Sequence, residues 1–272
     1  MKKKTIFLGG GLGNNLFQIA YGEFLTQKGY HICYKSYLTK KNIVTKLLGW
    51  SIHNNEITKQ LLKNKNVSDS INLMDVLFLA FSFFKKKMTH DNLHNAPESN
   101  GRRYFGYALQ GNHLHMEVLS ILSQDIRKLF YDKTCQNKID TVLHIRRGDF
   151  SKECALADDY YIEALKNLKP QGDVIVVTDE PKIIDYVKEK IFKNVKLSDG
   201  TSMLDDFFTI FNAKNVIMSN STYCYWACVL GDVERVIYPS KISTKQDWFF
   251  SLNGISTEKI NCKFLSEMER NR

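Results

Sequence analysis

Short apolar runs alternate with segments of helical periodicity at both ends of this chain. Near the start, an apolar run over 5–8 leads into a glycine-rich turn, a helical pattern over 15–28 that stops at Gly29, and a second apolar run over 31–34. A strand, a glycine turn, a helix and a strand in this order are typical of a parallel α/β layer. The sequence therefore predicts an α/β unit at the start of the chain.

A second alternating series occupies the C-terminal half, after an amphipathic helix that is predicted over 116–131. Its strands are predicted at 141–145, 173–178, 216–219 and 235–238, the last strand of the chain, and its helices at 159–168, 182–191, 202–212 and 223–230. Two such series predict an α/β protein with two Rossmann-like lobes facing a central cleft, 1–135 and 136–272.

One apolar run, over 71–84, belongs to neither series. It contains Asp75 and is shorter than the ~20 residues that cross a bilayer. A buried helix is one interpretation. Because three lysines follow at 85–87, a helix lying on an anionic membrane surface is the other. Both stay open at this point.

Composition and charge restrict the possible partners. The net charge of +9 at neutral pH favours anionic ligands. The lysines are scattered, however, and neither an RNA-binding aromatic signature nor zinc-finger spacing occurs, so no nucleic acid is expected. The six cysteines form no C-x-x-C pair, which is typical of reduced thiols in a cytoplasmic protein. No signal peptide is recognised before the first strand.

The first candidate binding element is the glycine-rich turn GGGLGNN over 9–15. Glycines let the backbone approach a ligand closely, and Asn14 and Asn15 are expected to present side-chain amides to the cleft. The dinucleotide fingerprint G-x-G-x-x-G is not met, and the next strand ends at Tyr34 and Lys35 rather than at an acid. A nicotinamide-dependent oxidoreductase is therefore disfavoured. An ordinary βα turn remains the alternative.

The second candidate element is HIRRGDF over 144–150, at the end of a predicted strand. Strand alternation directs His144 and Arg146 to one side and Arg147 to the other. Arginine forks suit phosphate oxygens, so one arginine is expected to bind a diphosphate while the other binds Asp149 or a neighbouring loop. The alternative is a structural salt bridge at the strand end.

The third candidate element is Ser-Asn-Ser-Thr over 219–222, between a predicted strand and a predicted helix. Hydroxyls and amides at a helix N-terminus form an anion site, although plain N-capping is the alternative. No Asp-x-Asp occurs, so a metal-chelated diphosphate is not indicated. The histidine spacing over 90–94 lacks a catalytic Glu, and zinc is not favoured either.

With these motifs, the sequence resembles the bacterial α-1,2-fucosyltransferase family. The resemblance is carried by the segments 10–22, 104–110, 144–150, 176–180 and 206–232. It implies a GT-B-like fold, with the N-terminal lobe on the acceptor side and the C-terminal lobe binding GDP-fucose. It also implies inverting fucosyl transfer, with no cofactor or metal ion, to the 2-hydroxyl of a terminal sugar. That sugar is usually galactose in a surface glycan such as O-antigen, and the acceptor is expected to be lipid-linked at the cytoplasmic face.

The resemblance also implies roles for single residues. One arginine of Arg146 and Arg147 would bind the β-phosphate, and Asp206 would approach the guanine or ribose. The residues themselves add Arg146 and Asp149 as candidate catalytic groups, with Asp149 either a base or the salt-bridge partner of an arginine. The donor-binding set is His144, Arg146, Arg147, Asp206, Asn220, Ser221 and Thr222, and the N-terminal lobe adds Gly11, Gly13 and Asn14 to the cleft. Departures from the family pattern at 15, 178–180 and 223–226 leave the acceptor open. A non-catalytic nucleotide-sugar or glycan binding module remains the competing class.

Overall fold

The computed structural model describes residues 2–41, 45–46, 56–88, 102–104, 116–134, 138–248, 251–252 and 254–269. The chain forms two compact units, Met1–Leu129 and Phe130–Arg272, and each has its own parallel sheet. The predicted α/β class with two Rossmann-like lobes is therefore confirmed. The second unit begins slightly before the predicted division after residue 135, because Phe130 packs its ring on Phe208 at 5.4 Å and the carbonyl of Lys133 accepts a bond from Asn212.

The first unit is a four-stranded parallel sheet in the order β3-β2-β1-β4 with helices beside it. Its strands are β1 (Lys3–Gly9), β2 (His31–Leu38), β3 (Val67–Ser68) and β4 (Arg103–Tyr104). Its helices are α1 (Leu12–Gln27), α2 (Glu56–Leu62), α3 (Leu73–Met88) and α4 (Met116–Leu129). The predicted strand–glycine turn–helix–strand opening is confirmed.

Two side chains of α1 hold the glycine turn in place. Nδ2 of Asn15 donates to the carbonyl oxygens of Gly9, Gly10 and Gly11 at 3.0–3.2 Å, and Gln18 exchanges two hydrogen bonds with the backbone of Gly9. The expectation that Asn15 presents its amide to a ligand is therefore wrong, because that amide is buried and satisfies the turn. Gly10 has a φ of +81°, which favours glycine there.

Asp75, the acidic residue inside the apolar run at 71–84, lies in the first turn of helix α3 and binds the helix to the sheet. Asn72 and Asp75 exchange backbone-to-side-chain hydrogen bonds of 2.9 and 3.1 Å, a reciprocal cap on the first turn. The Asp75 carboxylate is 2% exposed and receives Nε of Arg103 at 2.9 Å and Nζ of Lys35 at 3.6 Å. Strands β2 and β4 therefore both hold α3 through one buried carboxylate.

The opposite face of α3 is exposed, so the prediction of a buried helix is wrong for this face. Leu73, Leu77 and Phe81 are 73%, 54% and 66% exposed, while Leu79 is buried with Asp75 on the inner face. No helix in the described part of the chain has the length and hydrophobicity needed to span a membrane. The apolar run is an amphipathic helix whose polar anchor points inward.

The second unit is built on a six-stranded parallel sheet in the order β12-β9-β8-β5-β6-β7. Its strands are β5 (Ile139–Ile145), β6 (Val174–Thr178), β7 (Val195–Leu197), β8 (Ala213–Ile217), β9 (Arg235–Pro239) and β12 (Ser256–Ile260), and the pair β10 (Lys241–Ser243) and β11 (Gln246–Asp247) forms a hairpin. Its helices are α5 (Tyr131–Thr134), α6 (Asp158–Leu168), α7 (Ile184–Lys190), α8 (Met203–Phe211), α9 (Thr222–Leu230) and α10 (Leu265–Glu269).

Strand β12 overturns the prediction that 235–238 is the last strand. It pairs in parallel with β9 at the edge of the sheet, and most of its residues are polar and partly or fully exposed. An edge strand of this composition has no apolar run for a sequence pattern to detect.

In the middle of the sheet, the hydroxyl of Tyr160 on α6 donates to the carbonyl of Met218 at 2.7 Å and holds the end of β8.

Gly22 of α1 packs directly on β2, which leads to a stability prediction. A methyl group at this position would overlap the hydroxyl and ring of the buried Tyr34. We expect Gly22→Ala to lower the free energy of unfolding by about 1–3 kcal/mol, measured by urea denaturation, because the buried ring must shift. Gly22→Ala with Tyr34→Phe should recover part of that loss. Gly172→Ala, where no atom lies within 4 Å, is the control, and an equal loss there would contradict the packing argument.

Candidate functional site

The topological switch point of the six-stranded sheet lies between β5 and β8. From β5 the chain continues to β6 and β7 on one side, and then returns to build β8, β9 and β12 on the other. Ligands of open α/β sheets bind beyond the carboxyl ends of the strands at such a point. The segments that follow these strands are 146–149 after β5, 179–180 after β6 and 218–221 after β8. They contain five of the residues that the sequence selects, namely Arg146, Arg147, Asp149, Asn220 and Ser221.

His144, the penultimate residue of β5, faces the segment after β8. Its Nδ1 shares a hydrogen bond of 2.8 Å with Oγ of Ser219, and its ring lies 6.0 Å from the ring of Tyr223. Burial, with the charge of Arg146 as a smaller cause, lowers the pKa of His144 to about 3. The imidazole is therefore neutral at physiological pH. Among the described residues, Nε2 has no hydrogen-bond partner.

The hydroxyls at the start of α9 also lack partners. Ser221 is the N-cap residue and Thr222 is the first helical residue, yet no side-chain hydrogen bond caps the helix. In the described part of the chain neither hydroxyl makes a hydrogen bond, although the Ser221 residue as a whole is only 5% exposed. The alternative of a plain N-cap is therefore wrong. Two hydroxyls remain at a helix N-terminus, where the helix dipole favours negative charge.

Asn220 is occupied by the scaffold. Its Nδ2 donates to the carbonyl oxygens of Cys154 at 2.7 Å and Ile242 at 2.6 Å, and it thereby joins the segment after β5 to strand β10. Its Oδ1 is buried without a partner among the described residues. The amide nitrogen is a structural group, and a contact of Asn220 with a donor stays a prediction.

Arg146 offers one free edge of its guanidinium. Asp149 binds the side edge in bidentate fashion, through Nε at 2.8 Å and Nη2 at 2.6 Å, and Asp179 approaches Nε at 3.2 Å. In the described structure Nη1 has no partner, and the side chain is 25% exposed. The end of the fork formed by Nη1 and Nη2 can therefore still bind an anion in bidentate geometry. Both the salt bridge with Asp149 and an open phosphate-binding edge occur in one residue.

Arg147 points to the other side of the strand end, as strand alternation predicts. Its Nη2 donates to the carbonyl of Leu156 at 2.9 Å and to Asp158 at 2.6 Å, at the start of α6, and its side chain is only 10% exposed. The expectation that one arginine binds a neighbouring loop is met by this residue. A donor contact of Arg147 stays a prediction, and it would require part of this network to open.

Asp179, directly after β6, was not among the predicted site residues. Its Oδ1 accepts the backbone amides of Arg147 and Gly148 at 3.0 Å each, and its Oδ2 accepts that of Asp149 at 3.4 Å. Burial acts to raise the pKa of Asp179, but these amides and the charge of Arg146 outweigh it and hold the pKa below its usual value. The sequence signals were its place at the end of a predicted strand and within the family-like segment 176–180.

Asp206 lies in the first turn of α8 as a carboxylate without a counter-ion. Burial raises the pKa of Asp206, and a hydrogen bond with the Ser198 side chain opposes this to a smaller extent. In the described part of the chain no cation pairs with Asp206. Its neighbour Asp205 behaves differently, because it binds Lys133 at 2.5 Å. An unpaired, half-buried carboxylate is suited to accept N–H donors of a ligand.

The remaining predicted residues belong to the first unit or to undescribed segments. Gly11 is the N-cap residue of α1, with no atom near the position of a Cβ, and Gly13 and Asn14 lie in its first turn. Their contribution to a ligand site stays a prediction. Of the family-like segment 104–110 only Tyr104 is described, and the histidine pair of 90–94 lies outside the described residues. Within the described ranges, no group of three or more His, Cys, Asp or Glu side chains is placed to hold a metal ion.

An α/β protein with unpartnered hydrogen-bonding groups at the switch point of a parallel sheet has the site of a ligand-binding α/β enzyme. The sequence matches Glycosyl transferase family 11 over residues 30–251, and the chain belongs to this family. It is therefore a glycosyltransferase. This membership disfavours the non-catalytic module and the oxidoreductase as classes.

Two curated relatives and one solved structure place the chain in context. It is 25% identical to the O-antigen biosynthesis glycosyltransferase WbnK of Escherichia coli over 90% of this chain and 95% of that protein. It is 29% identical to an alpha-1,2-colitosyltransferase of Escherichia coli over 40% of this chain and 41% of that protein. The glycosyl transferase family 9 structure from Veillonella parvula DSM 2008 is 12% identical with a TM-score of 0.48, covering 99% of this chain and 88% of that one.

The neutral state of His144 leads to a pH prediction. The pKa of His144 is about 3 in the folded protein, below the usual value near 6.5 of an unfolded chain. The unfolded state therefore binds the extra proton, and the histidine lowers the free energy of unfolding as pH falls from about 6.5, by at most about 1.4 kcal/mol per pH unit. We expect urea denaturation between pH 7 and 4.5 to show a shallower loss for His144→Asn than for the wild type. His31→Asn, at an exposed position of β2, is the control, and parallel curves for wild type and His144→Asn would contradict the prediction.

Proposed function

We propose that the protein transfers L-fucose from GDP-fucose to the 2-hydroxyl of a terminal galactose, with inversion and without a metal ion or other cofactor. Family membership supports glycosyl transfer, and the sequence resemblance supports the donor and the linkage. The names of the two relatives support a role in O-antigen synthesis and a 1,2-linkage. The second unit would bind the donor, and the first unit would face the acceptor.

The observation that carries this proposal is the set of unpartnered groups beside one available guanidinium edge. Nε2 of His144, the hydroxyls of Ser221 and Thr222 and the Nη1 side of Arg146 all lack a protein partner among the described residues. None of these four groups is among the fully buried atoms without a partner in the described residues, so they remain accessible and a ligand can bind them. A diphosphate supplies several acceptor oxygens to such a set, and the single arginine supplies a positive charge.

In the proposed reaction the bond between C1 of fucose and the β-phosphate oxygen breaks, and its electron pair goes to that oxygen. The acceptor hydroxyl oxygen bonds to C1 from the opposite face, which inverts the configuration. Negative charge that grows on GDP would be stabilised by Arg146 and by the hydroxyls at the start of α9, which are already in place before the reaction. This would replace the Mg²⁺ that other transferases use for the same charge.

The acceptor proton passes to a base or to water. Asp149 is the candidate base, but in the ligand-free protein it is bound to Arg146 through both oxygens. Because both of its oxygens already accept hydrogen bonds from the guanidinium, the geometry supports a positioning role for Asp149 more than proton transfer. A transition state with most of the C1–O bond already broken requires little assistance from a base.

Asp206 supports guanine as the donor base. Guanine presents its N1–H and its amino group on one edge, and a carboxylate without a counter-ion accepts both. The raised pKa of Asp206 reflects burial that such a contact would offset. The resemblance to the fucosyltransferase family implies the same role for this residue, near guanine or ribose.

Colitose is a second candidate sugar, because one relative is named a colitosyltransferase. Colitose is fucose without its 3-hydroxyl, so the two donors differ by one hydrogen-bonding group.

We also propose that the acceptor is a lipid-linked oligosaccharide, and that the protein works in the cytoplasm at the periphery of the inner membrane.

A donor panel tests this proposal. We expect release of GDP from GDP-fucose in the presence of galactosides, with the product linkage assigned as 1,2 by NMR, and unchanged turnover in excess EDTA. Faster turnover of GDP-colitose would reassign the sugar. Binding of GDP-fucose without turnover across the acceptor panel would instead indicate a binding module, and activity lost in EDTA and restored by Mg²⁺ or Mn²⁺ would exclude the metal-free mechanism.

Replacement of Arg146 tests the stabilisation of the leaving group. We expect Arg146→Ala to lower kcat by about 10²–10³, as the loss of a preorganised donor to transition-state charge does. Arg146→Lys should restore little of it, because an ammonium cannot bind Asp149 and a diphosphate with two edges. The measurement is steady-state kinetics at saturating acceptor.

Arg235→Ala is the matched control. This arginine is the first residue of β9, at the amino-terminal end of the strands in the same sheet, and it pairs with Glu258. It should keep the wild-type kcat. Near-normal kcat for Arg146→Ala would move the role to another residue such as Arg147. A pH profile of kcat/KM for Asp149→Asn separates the two roles of Asp149, because loss of the acidic limb is expected only for a base.

A further inference from the structure

Between Leu73 and Ser82, the exposed side chains of helix α3 are all apolar. The residues that point outward between the start of the helix and its third turn are Leu73, Met74, Val76, Leu77, Ala80 and Phe81, which we call the outward strip. Single exposed hydrophobic residues are normal on a protein surface, but a contiguous apolar strip marks an interaction site. Nothing in the chemistry proposed for the second unit uses it.

The orientation of the strip is set by the inner face of the same helix. Asp75 is bound by Arg103 and Lys35, and the ring of Phe78 stacks on Phe7 of β1 at 5.6 Å. Leu79 is buried beside them. A helix held by a buried carboxylate and by ring packing cannot roll its apolar strip inward without leaving that carboxylate unpaired. The exposure is therefore a property of the folded unit.

The charge next to the strip identifies its partner. Three consecutive lysines, 85–87, follow the strip in the same helix, and the whole chain carries a net charge of +9. An apolar face with a basic flank is the pattern of helices that lie in the interface of an anionic membrane. A flat lipid surface needs no shape complementarity, which suits a strip on one helix face.

A second copy of the chain fits this strip less well. Residues 73–81 span only about 14 Å of helix at 1.5 Å per residue. A stable protein interface buries about 800 Å² on each partner, which is much more than a strip of this length and the ~10 Å width of a helix provides.

We propose that the outward strip of α3, together with the lysines at 85–87, docks the protein on an anionic membrane surface with the helix parallel to the bilayer. The inference rests on the proposed function for the presence of an acceptor at the membrane. Docking itself is measured without donor or acceptor, so the two can fail separately.

The test is flotation of the purified full-length protein with phosphatidylglycerol-containing vesicles and with pure phosphatidylcholine vesicles. We expect flotation with the anionic vesicles at low salt and a large loss at high salt. Leu77→Gln with Phe81→Gln should lose at least tenfold in the bound-to-free ratio on anionic vesicles. Lys85→Gln with Lys86→Gln and Lys87→Gln should lose on the order of 100-fold, since each lysine near such a surface strengthens binding about fivefold.

Met116→Gln with Leu129→Gln is the matched control, because it removes two exposed hydrophobic residues from α4 in the same unit. It should float like the wild type. All variants should keep the wild-type melting temperature and turnover of a soluble acceptor, which separates docking from catalysis. The proposal is overturned if the wild type stays unbound at low salt or if the Leu77/Phe81 variant floats normally. It is equally overturned if the wild type self-associates through this strip and the variant is monomeric.

Discussion

The carboxylate of Asp179 determines how the segment after β5 is held beyond the carboxyl ends of the strands. It accepts consecutive amides of Arg147, Gly148 and Asp149 and lies 3.2 Å from Nε of Arg146. A Cβ on Gly148 would come within 3.0 Å of the backbone oxygen of Asp179, so the close approach also depends on a glycine. The positions of both arginines follow from this one contact between the ends of neighbouring strands.

Burial then divides the charges of the site. His144 is kept neutral by desolvation beside a guanidinium, so it can bind through hydrogen bonds without adding charge. Arg146 carries the positive charge but shares it with Asp149 and Asp179. Under the proposed function, a diphosphate would meet a guanidinium that two carboxylates already hold in one orientation. The guanidinium would then lose little conformational entropy when the ligand binds. Its open edge, formed by Nη1 and Nη2, would give the contact direction as well as charge.

The sequence predicted most of what depends on apolar runs and strand alternation. The parallel strands β1, β2, β5, β6, β8 and β9 all carry apolar runs, and Arg146 and Arg147, directly after β5, have different partners as expected. It did not predict β12, an edge strand with a polar composition, nor the exposed face of α3, because an apolar run does not reveal which side meets the sheet. The bonds of Asp179 and Asn15 were also missed, since each depends on backbone groups that tertiary structure brings within reach.

Neighbouring residues of the same type illustrate how the fold assigns different roles. Arg147 is bound to Leu156 and Asp158 and stabilises the start of α6, whereas Arg146 keeps one edge open. Asp205 is neutralised by Lys133, whereas Asp206 has no counter-ion. In each pair one member is held by a carboxylate or lysine of the scaffold, and the other keeps hydrogen-bonding groups available to a ligand. Available hydrogen-bonding groups beyond the carboxyl ends of the strands, with neighbours that are bound within the protein, are the physical support for the proposed position of the donor.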